Sequence, residues 1–360
     1  MPVDSDWLFV NKGALIELLF IGSWIFVNFK FAWILRWFRG EAVKAVFLDR
    51  DSLDCDDLDF SPIKQVVDQW CEYSSTSEAL VESRASDADI LVVNKQKMTA
   101  PLLRKLKQLK LICVAATGTN NVDLKTATEL GITVSNCQAY GTGSVVQHVF
   151  SLMLALSTRL LQYHQAVQTG RWNLASQFCL LDYPIQELSG KVLGIIGYGE
   201  LGKNVARIAQ AFGMEVMIAE RVGEVPRPGR HALEDMLPMI DILTIHCPLT
   251  EETRNLIAKD ELRLIKRGAL LINASRGGVV NEIALVDALE SDQLAGAGVD
   301  VLTEEPPKEG NPLLDCNHPN LIITPHSAWG SFQARQRIVC QLAENIRAHL
   351  EGKPVRVVNS

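Results

Sequence analysis

From Lys191 to Gly213 the chain reads KVLGIIGYGELGKNVARIAQAFG, an apolar strand that runs through three spaced glycines straight into a helix. Few sequence features restrict a fold so much. A strand, G-x-G-x-x-G and a helix in that order open a parallel βαβ unit that binds a dinucleotide. Gly197 permits the tight turn, Gly199 lets the backbone approach a pyrophosphate, and Gly202 lets the helix pack on its strand. The free N–H groups at the helix start then face the anion. The next strand, MEVMIAE, ends at Glu220, 18 residues after Gly202, where a carboxylate accepts hydrogen bonds from an adenosine ribose. The expected cofactor is therefore NAD, with NADH preferred. Arg221 keeps NADPH open, because an arginine there can pair with a 2′-phosphate; its plainer reading is a solvated surface charge.

The rest of the chain repeats this βα rhythm. A first series of short apolar runs comprises KAVFLD, ADILVVN (88–94), KLICVAA (110–116) and GITV (131–134). A second follows KVLGIIG with MEVMIAE, DILTIHC (241–247), ALLINAS (269–275), GAGVDVL (296–302) and LIITPH (321–326). Runs of four to seven β-branched and apolar residues between helix-length segments predict parallel sheets covered on both faces. The fold class is thus α/β, with two doubly wound parallel-sheet domains and an extra N-terminal apolar segment. Residues 139–326 form the Rossmann NAD-binding domain. Residues 43–138 plus 327–360 form a flavodoxin-like substrate domain, to which the last helix returns. A cleft between such domains is the expected place for a small molecule.

Residues 1–42 stand outside this pattern. From Ala14 to Leu35 the only charges are Glu17 and Lys30, and 22 residues at about 1.5 Å each can span a bilayer core. Arg36 and Arg39 follow, which would put that end in the cytoplasm. Three readings stand side by side: sequence upstream of the true start, a membrane anchor or surface helix, and a packed helix. Membrane contact is expected only if the 14–35 segment is real. A net charge of −7 argues against nucleic acid as a partner. The eight cysteines contain no C-x-x-C pair and several lie in apolar runs, which suits a reduced, cytoplasmic chain. No ligand spacing appears among the seven histidines, so no metal is expected.

Three polar residues fall at or just beyond the ends of the last three strands, the edge that faces the cofactor in a doubly wound sheet. Arg276 follows LLINAS, Glu305 follows GVDVLTE, and His326 ends LIITPH. Each alone has a dull reading, as a surface arginine, a loop carboxylate and a capping histidine. Together they offer a cation, a carboxylate and a proton carrier. The segments TGTNNVDL (117–124), GYGELG, HCPLTEETRNLI (246–257), LINASRGGVVNE (271–282), GAGVDVLTEEPP (296–307) and TPHSAW (324–329) resemble the D-isomer-specific 2-hydroxyacid dehydrogenase family. The likeness runs from about Val43 to the C-terminus, and TPHSAWGSFQARQR is most similar to the glycerate dehydrogenase (hydroxypyruvate reductase) branch.

The resemblance implies Arg276, Glu305 and His326 as the catalytic residues, with the glutamate five residues after Asp300. It implies Leu201 and Gly202 at the cofactor phosphates, Glu220 at the ribose, and Cys247 and Pro248 beside the adenosine. Ala274, Asp300 and His326 would lie near the nicotinamide, and Thr142 would reach in from the hinge. The Thr117-Gly118 turn would offer backbone N–H groups to the substrate carboxylate. One departure is Asn281, where the family usually has aspartate. The implied reaction is NAD(P)H-dependent reduction of a small 2-keto acid, hydroxypyruvate first, to the D-2-hydroxy acid, and its reverse. Alternatives are a phosphoglycerate-type dehydrogenase, disfavoured because the chain stops at Ser360, and a nucleotide-sensing module on the same fold. The stretch 144–168 is apolar on more than one side, which predicts either a homodimer interface or a fully buried helix.

Overall fold

A computed structural model describes residues 42–359. The 14–35 segment, and with it the choice among its three readings, lies outside the described residues. The chain divides into two compact units, one of residues 42–55, 59–137 and the end from Val339, the other of residues 56–58 and 138–338.

The first unit carries β1 (Lys44–Phe47), β2 (Gln69–Glu72), β3 (Ile90–Val93), β4 (Leu111–Val114) and β5 (Thr133–Ser135), ordered β2-β1-β3-β4-β5. All pairings are parallel. Strands β3 and β4 are buried at every residue, as a sheet covered on both faces requires. The β2 strand, QWCE, is the one that the apolar pattern misses. It lies at the sheet edge and is half exposed, so it has no need of an apolar run.

The second unit carries β6 (Val192–Ile196), β7 (Glu215–Ile218), β8 (Ile242–Ile245), β9 (Ala269–Asn273), β10 (Leu294–Val299) and β11 (Leu321–Ile323). Their order is β11-β10-β9-β8-β6-β7, again all parallel. Successive side chains feed opposite faces, as the two-residue strand period demands. Ile242, Leu270 and Ile272 pack with Val149, Met153 and Val205 of the helices Thr142–Thr158 and Glu200–Ala211. Leu243, Ile245 and Leu271 pack instead with Leu262, Leu285 and Leu289 of the helices Lys259–Leu264 and Glu282–Glu290. The departure at Asn281 keeps its cap, since the side chain accepts from Ala284 N at 2.9 Å.

Two boundaries differ from the sequence reading. The stretch 144–168 is two helices, Thr142–Thr158 and Leu160–Gln168, broken where Arg159 takes φ 55°. The first buries eight residues in the core, whereas the second leaves Leu160, Leu161 and Val167 exposed. Among the described residues no single helix is long and apolar enough to cross a membrane; this pair, bent by 61°, reaches that length only together. The chain leaves the second unit after Ile338, inside the helix Phe332–Leu350, and not at 326. Residues 327–331 stay behind because Ser327 N and Ala328 N donate to the Asp300 carboxylate and Ser144 Oγ donates to Ala328 O.

Candidate active site

The β6 strand delivers the glycine turn, and each glycine has its own reason. Gly197 takes φ 88°, and a Cβ there would lie 2.6 Å from His246 O and Cys247 N. A Cβ on Gly202 would stand 2.1 Å from Gly197 O, so only glycine lets the helix Glu200–Ala211 sit this close to its strand. A Cβ on Gly199 would meet nothing within 4 Å. The fold has no steric use for that glycine, and the open space beside it is what a pyrophosphate against the backbone needs. Leu201, at the helix start, packs against the core beneath.

Glu220 lies just past β7 with its side chain only 1% exposed. Its backbone N donates to His231 O as the chain folds back, which brings Arg227 alongside. Arg227 Nε donates to Oε2 at 2.7 Å and Nη2 to Oε1 at 2.5 Å, while the backbone N–H groups of Arg221 and Arg227 donate at 2.9 and 3.1 Å. These bonds, the Arg227 guanidinium first, hold the Glu220 carboxyl well below the usual carboxylate range. Arg230 reaches within 4.0 Å of Oε1 and lies over the Tyr198 ring of the glycine turn, 5.5 Å from its centroid. The Arg221 side chain is exposed. Sequence reading singled out Arg221 and missed Arg227 and Arg230. The available signal was three arginines within ten residues of the strand end.

After β8 come His246, Cys247 and Pro248. Burial pushes the Cys247 thiol up to about 11 and holds the His246 imidazole down to about 4. The His246 ring shares a 3.0 Å hydrogen bond with Thr244 Oγ1.

The strands β9, β10 and β11 are neighbours, so the residues that follow them leave the same edge of the sheet. Ala274 is buried at the end of β9. Arg276, two residues on, is exposed, and its Nη1 donates to Ser275 O at 2.7 Å. The following Gly277 is forced by close approach, because a Cβ would fall 1.9 Å from Leu302 O. That contact ties the β9 and β10 loops together. Glu305 accepts from Leu302 N through Oε1 at 2.9 Å and meets His326 Nδ1 through Oε2 at 2.6 Å. His326 sits at φ 51°, an unusual conformation for a residue with a Cβ. Asp300 holds it there. Its carbonyl accepts from His326 N at 2.7 Å, and its carboxylate accepts from Thr324 Oγ1, Ser327 N and Ala328 N. The His148 ring joins this network through Thr324 Oγ1 at 3.0 Å, a participant that sequence reading left out.

Thr142 opens the helix Thr142–Thr158 in this unit, its hydroxyl 3.3 Å from Ala139 O. Thr117 and Gly118 belong to the first unit, past β4. There Thr117 Oγ1 donates to Cys137 O and Asn136 Nδ2 donates to Thr117 O, which fixes the turn.

Residues 150–328 match the family described as D-isomer specific 2-hydroxyacid dehydrogenase, NAD binding domain. A glycerate dehydrogenase of Methylorubrum extorquens is 46% identical over 319 residues, covering 88% of this chain and 99% of that protein. Among solved structures, a D-lactate dehydrogenase from Aquifex aeolicus complexed with NAD and lactic acid aligns with a TM-score of 0.75 at 27% identity, over 88% of this chain and 99% of that one. An NADPH-dependent glyoxylate/hydroxypyruvate reductase from Sinorhizobium meliloti, in complex with NADP and malonate, aligns at 0.73 and 27%, over 88% and 97%. The fold and the site thus define an NAD(P)-dependent oxidoreductase. The chain belongs to the D-isomer specific 2-hydroxyacid dehydrogenase family.

Proposed function

We propose that this enzyme reduces hydroxypyruvate to D-glycerate and catalyses the reverse oxidation. The observation that carries the reading is the 2.6 Å contact between His326 Nδ1 and Glu305, one strand away from the loop of Arg276. The substrate choice is supported by the 46% identity to a glycerate dehydrogenase over nearly the whole of that protein. A phosphoglycerate-type enzyme and a sensor are disfavoured by that match and by the three polar residues at one sheet edge.

A nicotinamide dinucleotide, when bound, supplies or accepts the hydride. His326 moves the proton. With Nδ1 held by Glu305, the ring is fixed in orientation and Nε2 is left to protonate the keto oxygen in reduction and to take the proton back in oxidation. Arg276, anchored through Nη1 on the Ser275 carbonyl, brings a planar cation to the substrate carboxylate and keto oxygen. In the first unit, the Thr117-Gly118 turn keeps the role the resemblance implies for it, backbone N–H groups offered to a carboxylate. Gly197, Gly199, Leu201 and Gly202 would hold the pyrophosphate of a bound dinucleotide, Cys247 and Pro248 would flank its adenosine, and Ala274, Asp300 and Thr142 would border its nicotinamide. Either dinucleotide serves. The case for an NADH preference is that Glu220 accepts from the ribose and repels a 2′-phosphate, and here Arg227 pairs with that carboxylate and offsets its charge.

We also place the enzyme in the cytoplasm, on its cysteine pattern, and in a homodimer. The homodimer reading rests on the apolar side chains that the second unit leaves exposed from Leu160 to Ile185, Leu174 and Phe178 foremost. The site is tested by a panel of hydroxypyruvate, glyoxylate, pyruvate and 3-phosphohydroxypyruvate with NADH and NADPH. Hydroxypyruvate should show the highest kcat/KM. His326→Ala should lower its kcat by about 10²–10⁴-fold with dinucleotide binding retained. A phosphorylated acid in first place, or near-full kcat in the variant, defeats the reading.

A further inference from the structure

The carboxylate that the strand-end position assigns to the ribose is already saturated. A carboxylate offers about four lone-pair sites. Glu220 fills four, with Arg221 N and Arg227 Nη2 on Oε1 and with Arg227 N and Nε on Oε2. Two of those donors are backbone, and the other two are one guanidinium in a forked, charge-assisted pair. A ribose hydroxyl can reach Glu220 only by displacing that fork.

A phosphate meets different surroundings. Arg221, Arg227 and Arg230 set three positive charges against the two negative charges of Glu220 and Glu224. The Glu220 side chain is almost wholly buried, whereas Arg227 is 54% exposed, so the group that this patch presents to a ligand is the guanidinium. Pro226 and Pro228 flank Arg227, and Arg227 N is tied to Glu220, so its backbone is fixed, while Nη1 takes no part in the fork and is left to face a ligand.

We propose that Glu220 serves as the anchor of Arg227 rather than as the ribose acceptor, and that Arg227, with Arg221, receives the 2′-phosphate of NADP(H). Arg227 is then the residue that sets coenzyme selectivity. The proposal rests on the reading above that the enzyme uses a nicotinamide dinucleotide, and it makes NADP(H) the better bound of the two.

The test is direct titration of the full-length protein with NADPH and NADH, without keto acid, followed by energy transfer from tryptophan to the nicotinamide. The expected result is that Arg227→Ala weakens NADPH by about 10- to 100-fold, the worth of a hydrogen bond to a charged group. NADH should bind as before or more tightly, because Glu220 is uncovered. Glu220→Gln should leave NADH unchanged, with circular dichroism confirming the fold although loss of the buried carboxylate and its charge-assisted bonds lowers the melting temperature. Added salt should weaken NADPH more than NADH. If Arg227→Ala weakens both dinucleotides alike, or NADPH not at all, Arg227 does not select. If Glu220→Gln costs NADH its affinity, the glutamate is a ribose acceptor after all. Failure of the unmodified protein to bind either dinucleotide overturns this proposal and the proposed function together. Binding as expected with no reduction of hydroxypyruvate overturns only the substrate assignment.

Discussion

Asp300→Asn keeps the shape of a side chain that is 1% exposed and replaces one accepting oxygen with a donor. The consequences can be followed atom by atom. Oδ1 accepts from Thr324 Oγ1 at 2.5 Å and Ser327 N at 2.9 Å, and Oδ2 accepts from Ala328 N at 3.0 Å. An amide NH2 turned toward Ala328 would set two buried donors face to face. Turned toward Thr324 it fares better, because that hydroxyl can reverse and donate to His148 once the ring carries its proton on Nδ1, and Ser327, an exposed residue, can turn its N–H to water. The second arrangement wins, at the loss of two bonds to a charged acceptor for one neutral bond, a net cost of about 2 kcal/mol. At roughly 2–4 °C per kcal/mol for a unit of this size, the melting temperature should fall by about 4–8 °C. The larger effect should be on rate. His326 holds φ 51° within this turn, and release of the turn lets the imidazole drift from the keto oxygen. A displacement of about 1 Å costs about 10²-fold, so kcat should fall by that order with little change in KM. Calorimetry and steady-state kinetics on the variant decide it. A lowered melting temperature with kcat intact would show that Asp300 supports the fold without positioning His326. No change in either would refute the hydrogen-bond reasoning itself.

Two further outcomes follow from burial. Desolvation holds His246 at about 4 against its ordinary 6.5, so the unfolded chain binds a proton that the folded chain does not, and stability should fall as pH drops from 6.5 toward 4. In urea titrations across that range His246→Asn should show a shallower loss, and an identical slope would discard His246 as a cause. Leu174 and Phe178 are each 89% exposed, and changing both to serine should turn a dimer into a monomer in sedimentation. A dimer that persists would place the interface elsewhere.

The sequence displayed most of this fold because a parallel sheet writes itself as uninterrupted apolar runs. Ten of the eleven strands among the described residues coincide with such runs, and the exception, β2, escapes because an edge strand with half-exposed residues needs no such signal. The break at Arg159 was not legible, since neither glycine nor proline marks it. The apolar content of both helices was visible, but not which side chains face solvent. At the site, His326 and Glu305 could be paired from their places at adjoining strand ends, and the 2.6 Å contact agrees. Glu220 was legible by its distance from the glycine turn. Its ion pair with Arg227 was not, because it depends on the chain folding back so that His231 bonds beside β7, a loop conformation with no periodic signature.

The strand order of the second unit sorts its residues by task. Everything assigned to dinucleotide recognition at the adenosine end follows β8, β6 or β7, and Arg276, Glu305 and His326 follow β9, β10 and β11. From β7 to β10 there are four strand spacings of about 4.8 Å, or about 19 Å. Perturbations that far apart with no shared partner add nearly independently. A lineage carrying this sheet can therefore exchange one coenzyme for the other by changes around β7 alone, without renegotiating the proton transfer chemistry at the opposite edge. In the proposed assignment, coenzyme selection and proton transfer thus fall on separate halves of one sheet.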